Sequence, residues 1–144
     1  MISVERVEAV NLELMQAIQT LFPQLTKYSP VPDELAIIEI LNSQASSIWI
    51  AKNTKDEIVG MLSLAIYRTT TGVHAWIEDV VVDLHFRRQG IAEQLTMAAI
   101  EYSRKNSAKA ISLTSRPSRE AANQLYQHMG FQLVETNLYR MNLS

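Results

Sequence analysis

Arg87-Arg88-Gln89-Gly90-Ile91-Ala92 brings two guanidinium groups and a glycine together in one short stretch. The residues before it, Trp76-Ile77-Glu78-Asp79-Val80-Val81-Val82-Asp83, read as a strand, and residues 93–105 read as an amphipathic helix. The first N–H groups of a helix have no intrahelical acceptor, and the macrodipole adds partial positive charge there. Gly90 lets the backbone approach a ligand without a Cβ in the way. A strand that empties through such a turn into a helix is an anion cradle. Arg87 and Arg88 stand at the end of the helix where cations are disfavoured by roughly 0.3–1 kcal/mol each. An anionic ligand explains that placement better than a solvated surface does.

Other reactive groups are few. The chain has no cysteine, which excludes disulfides, thiolate metal sites and a cysteine nucleophile. His74, His85 and His128 are scattered, show no metal-ligand spacing and read as surface histidines. Ser112, Ser115 and Ser118 have no attached histidine base, so no hydrolase is read. Tyr126, flanked by Ala122, Leu125 and Met129 at helical spacing, reads from the residues alone as part of an amphipathic core face. Asn123 lies three residues earlier, on the same helix face.

The elements that must position these groups follow from periodicity. Ile2, Val4 and Val7 suggest a first strand at about residues 2–8. Asn11 caps a helix carrying Leu12, Met15, Ile18 and Phe22 and ending near Pro23. Tyr28-Ser29-Pro30-Val31-Pro32 is a loop. Asp33 caps a second helix with Leu35, Ile38 and Leu41. Strands at 47–52, 58–67 and 74–83, joined by polar turns, form a meander of antiparallel hairpins. The run Val80, Val81, Val82 suggests burial on both faces. After the helix at 93–105, residues 110–114 make a strand parallel to the Val80 strand, completing a strand–helix–strand unit. Ser118 or a neighbour caps a further helix through His128, and Gly130 sits where a helix C-terminal glycine belongs. Residues 131–135 and 138–143 read as final strand material. The expected architecture is α+β, a single domain over residues 1–144 with a mixed, mainly antiparallel sheet and helices on both faces, in the order β-α-α-β-β-β-α-β-α-β-β.

Bulk properties agree. A chain of 144 residues with 47% apolar and 19% charged residues is an ordinary globular composition. A net charge of −2 argues against a dedicated nucleic-acid binder. The N-terminus does not read as a signal peptide, and no apolar run approaches the ~20 residues of a membrane span. The expectation is a cytoplasmic protein without a membrane or nucleic-acid partner.

Arg87, Gly90 and Ala92 match the pattern Q/R-x-x-G-x-G/A, and Asn123, Leu125, Tyr126, Gly130 and Phe131 approach a second pattern, N-x-x-A/L with a following tyrosine and a terminal G-F. Together, in this order and with these intervening elements, they resemble the two main motifs of the GCN5-related N-acetyltransferase (GNAT) superfamily. The resemblance covers about residues 49–143. It implies acetyl-CoA as donor, no metal, and a primary amine, on a small molecule or a protein, as acceptor. It implies that backbone N–H groups of Arg87, Arg88, Gln89, Gly90, Ile91 and Ala92 hold the CoA pyrophosphate. It further implies that Val80, Val81 and Val82 pair with the pantetheine arm and that Asn123 contacts the cofactor. Tyr126 would protonate the departing thiolate, since a phenol of pKa about 10 stays protonated at neutral pH. Glu78 or Asp79, or a water between, would take the proton of the amine; Glu78, which shares the alternation of Val80 and Val82, is favoured. The amine attacks directly in a ternary complex. Arg116 and Arg119 could meet the 3′-phosphate or an acceptor anion. Leu84 and Arg88 depart from the usual proline and glycine. The alternative is a non-catalytic acyl-CoA-binding regulatory module of the same fold. A homodimer through the C-terminal strands is suggested by the resemblance alone.

Overall fold

Asn11 and Asp33 start the first two helices as expected, each through its side chain. Asn11 Oδ1 accepts from the Leu14 N–H at 2.8 Å, and Asp33 Oδ1 from that of Ala36 at 2.9 Å. In the computed structural model, which describes residues 1–144, these helices are α1 (Leu12–Leu25) and α2 (Glu34–Asn42). They follow β1 (Ser3–Arg6) and precede a meander of β2 (Ser46–Lys52), β3 (Ile58–Thr69) and β4 (Gly72–Val82). Then come α3 (Ile91–Lys105), β5 (Ile111–Ser112) and α4 (Glu120–His128). The chain divides into two compact units, Met1–Thr114 and Ser115–Ser144.

The sheet of the first unit runs β1-β2-β3-β4-β5, with antiparallel pairs up to β4 and a parallel β4–β5 pair. Its register assigns the two faces. Ile50, Met61 and Val81 form one cross-strand row, and with Ile48 they pack on Leu14, Ile18, Leu21 and Ile37 of α1 and α2. The opposite face receives α3. A Cβ added at Gly60 would lie 3.1 Å from Ile91 and 3.2 Å from Leu95, so α3 crosses the sheet where there is no side chain. Farther along α3, the Tyr102 ring meets Trp49 edge-on at 5.2 Å, and Arg6 lies 5.1 Å over the Tyr102 ring. The helices thus cover both faces, as the alternation requires.

Three differences from the sequence reading have physical causes. Helix α1 continues through Pro23 to Leu25, because the Thr26 N–H still reaches the Phe22 carbonyl at 3.1 Å and closes the last turn. Strand β5 keeps only Ile111 and Ser112, paired with Ala75 and Trp76. The two closing strands expected at 131–135 and 138–143 are not formed. Alternating apolar residues make a strand only when a second edge is there to take the backbone groups, and these have no ladder partner.

Candidate active site

Strand β4 gains one residue over its neighbour. Met61 pairs with Val81 and Ser63 with Glu78, so two steps along β3 oppose three along β4. This is a β-bulge, and Asp79 within it is left-handed at φ 53°. The bulge overturns the simple alternation read from the sequence. Glu78 shares its face with Val81, on the α1–α2 side, and not with Val80 and Val82. It stands in one row with Ile48 and Ser63. Both Glu78 and Asp79 are exposed, and neither is ion-paired.

The bulge lies where β4 loses its second neighbour. Pairing with β5 stops at Trp76 and Ser112, so from Ile77 to Val82 one edge of β4 has no strand against it. The main-chain groups of Val80, Val81 and Val82 on that edge can pair with an extended, amide-bearing ligand.

The same strand runs directly into the basic loop. Asp83 closes a 3-10 turn, Leu84–Phe86, by accepting the His85 N–H at 3.1 Å. Gln24 of α1 holds the Leu84 N–H at 2.8 Å, tying the end of that helix to the loop. Arg88 and Gly90 are both left-handed, at φ 65° and 76°. Arg88 accepts the conformation that glycine would adopt without strain, a cost of roughly 1–2 kcal/mol. Alternating hands turn successive N–H groups toward one concavity. Gly90 begins α3 with no side-chain cap, in contrast to Asn11 and Asp33. No side chain caps the N–H groups at this helix start, and uncapped N–H groups of this kind can receive an anion. Arg87 and Arg88 have no carboxylate partner; Arg87 Nε reaches back to the Val82 carbonyl at 3.4 Å. Gln89 is exposed in the loop, while Ile91 and Ala92 open the helix, with Ile91 buried against the sheet.

Asn123 and Tyr126 lie in the second unit, on α4. The Asn123 amide donates to the carbonyls of Arg116 at 2.9 Å and Arg119 at 2.8 Å. Those two bonds use both amide hydrogens to fasten the preceding loop to the helix. They also replace the expected serine cap, since α4 starts after Arg119 with no side-chain cap. Gly130, at φ 106°, ends the helix in a Schellman motif: the Gly130 N–H donates to Gln127 and that of Phe131 to Tyr126. The Tyr126 and Phe131 rings close it edge-on at 5.7 Å. Part of the second sequence pattern is thus a helix stop. The Tyr126 hydroxyl is not engaged by this motif. Burial raises its pKa above the usual phenol value, and the Arg119 guanidinium pulls it partly back.

Sequence reasoning missed Gly60 and Gln24, which seat α3 and the loop without being part of any motif. Gly60 carried a signal only as a glycine inside an apolar strand run. His74 bonds Thr69 and Thr71 in the β3–β4 hairpin, a structural role. A cavity of about 430 Å³ lined by Arg6, Ser47, Arg68, Tyr102 and Asn106 lies at the C-terminal end of α3, away from the loop. No helix is long and apolar enough to cross a membrane.

Comparisons with known proteins give the family and the fold. The Acetyltransferase (GNAT) family model matches residues 12–131. An N-acetylaspartate synthetase of Danio rerio is 31% identical over 97 residues, 67% of this chain. The chain spans only 33% of that relative. A transcriptional regulator from Bacillus halodurans C-125 is 30% identical, with TM-score 0.78 over 97% of this chain and 100% of its own. An aminoglycoside acetyltransferase from an uncultured soil metagenomic sample shares the fold at TM-score 0.84 and 22% identity, over 100% of this chain and 99% of its own. So does AAC(6')-Iy, solved with a CoA bisubstrate analogue, at TM-score 0.81 and 19% identity, over 100% and 99%. With a family-model match over residues 12–131, most of its length, the chain belongs to the GNAT family of acetyltransferases.

Proposed function

We propose that this protein transfers an acetyl group from acetyl-CoA to a primary amine. The observation that carries the reading is the continuity of β4 with the loop: an unpaired strand edge from Ile77 to Val82 leads directly into an uncapped helix start with left-handed Arg88 and Gly90. Pantetheine is an extended diamide joined to a pyrophosphate, and these two features match its two ends in order. Val80, Val81 and Val82 bind the arm, and residues 87–92 bind the pyrophosphate through main-chain N–H groups. Asn123 has both amide hydrogens committed to Arg116 and Arg119, so its part is to position α4, with only its carbonyl oxygen left for the donor.

The amine nitrogen attacks the thioester carbonyl carbon in a ternary complex, forming the C–N bond of an amide as the C–S bond breaks. Glu78, directly or through water, takes the proton from the alkylammonium, whose ordinary pKa near 10 would otherwise leave it non-nucleophilic. Tyr126 gives its proton to the departing sulfur, and its raised pKa keeps it protonated through the neutral range. Support for a small-molecule amine comes from the aminoglycoside acetyltransferases that share the fold.

The test is an acceptor screen measuring CoA release, run beside Glu78→Gln and Tyr126→Phe. Turnover with at least one amine, lowered by both substitutions, is expected. A Tyr126→Phe enzyme that turns over normally removes the acid assignment. Failure of acetyl-CoA to raise Tm removes the whole reading, because a ligand of the native state stabilises it. The resemblance to a transcriptional regulator favours a second reading, a regulatory acyl-CoA-binding module. Binding of acetyl-CoA with no CoA release across a broad amine panel would select that one.

A further inference from the structure

The cavity of about 430 Å³ at the C-terminal end of α3 is built wholly from residues of the first unit. Its size is in the range of small-ligand sites. The strand register puts it on the α3 face of the sheet. Arg6 pairs with Trp49, which meets Tyr102 of α3 edge-on, and Ser47 lies two residues from Trp49 on the same face. Ser47 pairs with Leu64, and Ile66 and Arg68 follow Leu64 at alternate positions of β3. Glu78 stands on the opposite face, in the row of Ile48 and Ser63. Along α3, Tyr102 is roughly 16 Å from Ile91 and the basic loop.

The lining carries charge of one sign. Arg6 and Arg68 both line the cavity, no carboxylate does, and neither guanidinium is ion-paired. Arg6 spends one N–H on the Tyr102 hydroxyl at 2.8 Å and lies over that ring, which leaves the rest of its donors. Two like charges beside one concavity repel each other and draw an anion. Ser47, also in the lining, is 5% exposed. Its Oγ accepts the Trp49 indole N–H at 2.9 Å, so its own O–H is left as a donor. A donor buried this deeply takes an acceptor. Ile66 and Val73, both half-buried, add an apolar wall beside the Tyr102 ring. Guanidinium donors and a hydroxyl next to an apolar wall suit a carboxylate carried on a small apolar body.

We propose that this cavity binds a small organic carboxylate. Arg6, Arg68 and Ser47 hold its charged head, and Ile66, Val73 and Tyr102 pack along its body. It is a second site, separate from the residues that the acetyl-transfer reading uses.

The experiment titrates benzoate into the intact, isotope-labelled chain and follows the backbone amides of residues 44–47, 66–68 and 102–106 by NMR. Residues 87–92 serve as the control region. Expected is a saturable shift of the cavity amides with 87–92 unmoved. Benzamide, which lacks the charge, and acetate and inorganic phosphate, which lack the body, should each bind at least about tenfold more weakly than benzoate. Arg68→Gln should weaken benzoate by about tenfold or more, the scale of a lost charge-assisted hydrogen bond. Arg6→Gln, which also loses the bond to Tyr102, is the second variant and should do the same. Cavity amides that stay still, or that drift without saturating, overturn the inference. So do shifts at 87–92 in their place, benzamide, acetate or phosphate binding as tightly as benzoate, or wild-type affinity in either variant. None of these measurements involves turnover, so the acetyl-transfer reading stands or falls separately, on its CoA-release assay.

Discussion

Replacing Gly60 with alanine tests whether the seating of α3 on the sheet controls the loop. The new Cβ would stand 3.1 Å from Ile91 Cγ2, 3.2 Å from Leu95 Cδ1 and 3.2 Å from the Val81 carbonyl oxygen. The two side-chain tips can yield by a few tenths of an ångström. The carbonyl belongs to β4 and is held by the sheet, so α3 takes most of the displacement. Overpacking of this kind costs about 1–3 kcal/mol. For a chain of this size, that lowers Tm by roughly 3–10 °C. Ile91 is the first residue of α3, directly after Gly90, so the N–H groups at the helix start shift with it. Acetyl-CoA should therefore bind at least about threefold more weakly, a loss of ~0.7 kcal/mol, although Gly60 does not belong to the loop. Thermal unfolding and calorimetric titration measure the two effects. A Tm within a degree of wild type would refute the packing account. A lowered Tm with unchanged affinity would refute the link from packing to loop.

Gly90→Ala separates strain from crowding, because a Cβ there meets nothing within 4 Å while φ stays at 76°; stability should fall by about 1 kcal/mol, and acetyl-CoA affinity by more than in Gly60→Ala, both read by the same two measurements. Alkaline pH should weaken the fold: burial raises the Tyr126 pKa, so the native state holds its proton longer than the unfolded chain. That contribution is complete below the ordinary phenol value of about 10 and is lost as pH rises through the folded value. Lys52, raised by its hydrogen bond to Glu5 against an opposing burial effect, acts in the same direction above its ordinary value of 10.5. Denaturant midpoints between about pH 9 and 11 should therefore fall less in Tyr126→Phe than in wild type.

Much of the first unit was legible along the chain because its determinants are local. Asn11 and Asp33 cap helices through bonds to residues three positions away, and the meander strands follow from alternating residues and polar turns. The loop was legible for the same reason: Arg87, Gly90 and a helix start are contiguous, and orphan N–H groups belong to every helix N-terminus. Gly130 was also read in its place, because a left-handed helix stop is a short-range device.

What the sequence left open depends on a second chain segment. Side-chain alternation gives a face only if the partner strand keeps step. The bulge at Asp79 shows itself only in the register against Met61 and Ser63, and it moves Glu78 to the face of Val81. The unpaired edge of β4 exists because β5 stops at Ser112, which nothing within β4 encodes. The apolar alternation after Gly130 reads as a strand, but no ladder forms there. Sequence thus determined the helices, the turns and the left-handed basic loop, whose causes lie within a few residues. Tertiary structure decided which way Glu78 faces, where the sheet opens and that 131–144 forms no strand, because each depends on a distant backbone for its hydrogen bonds.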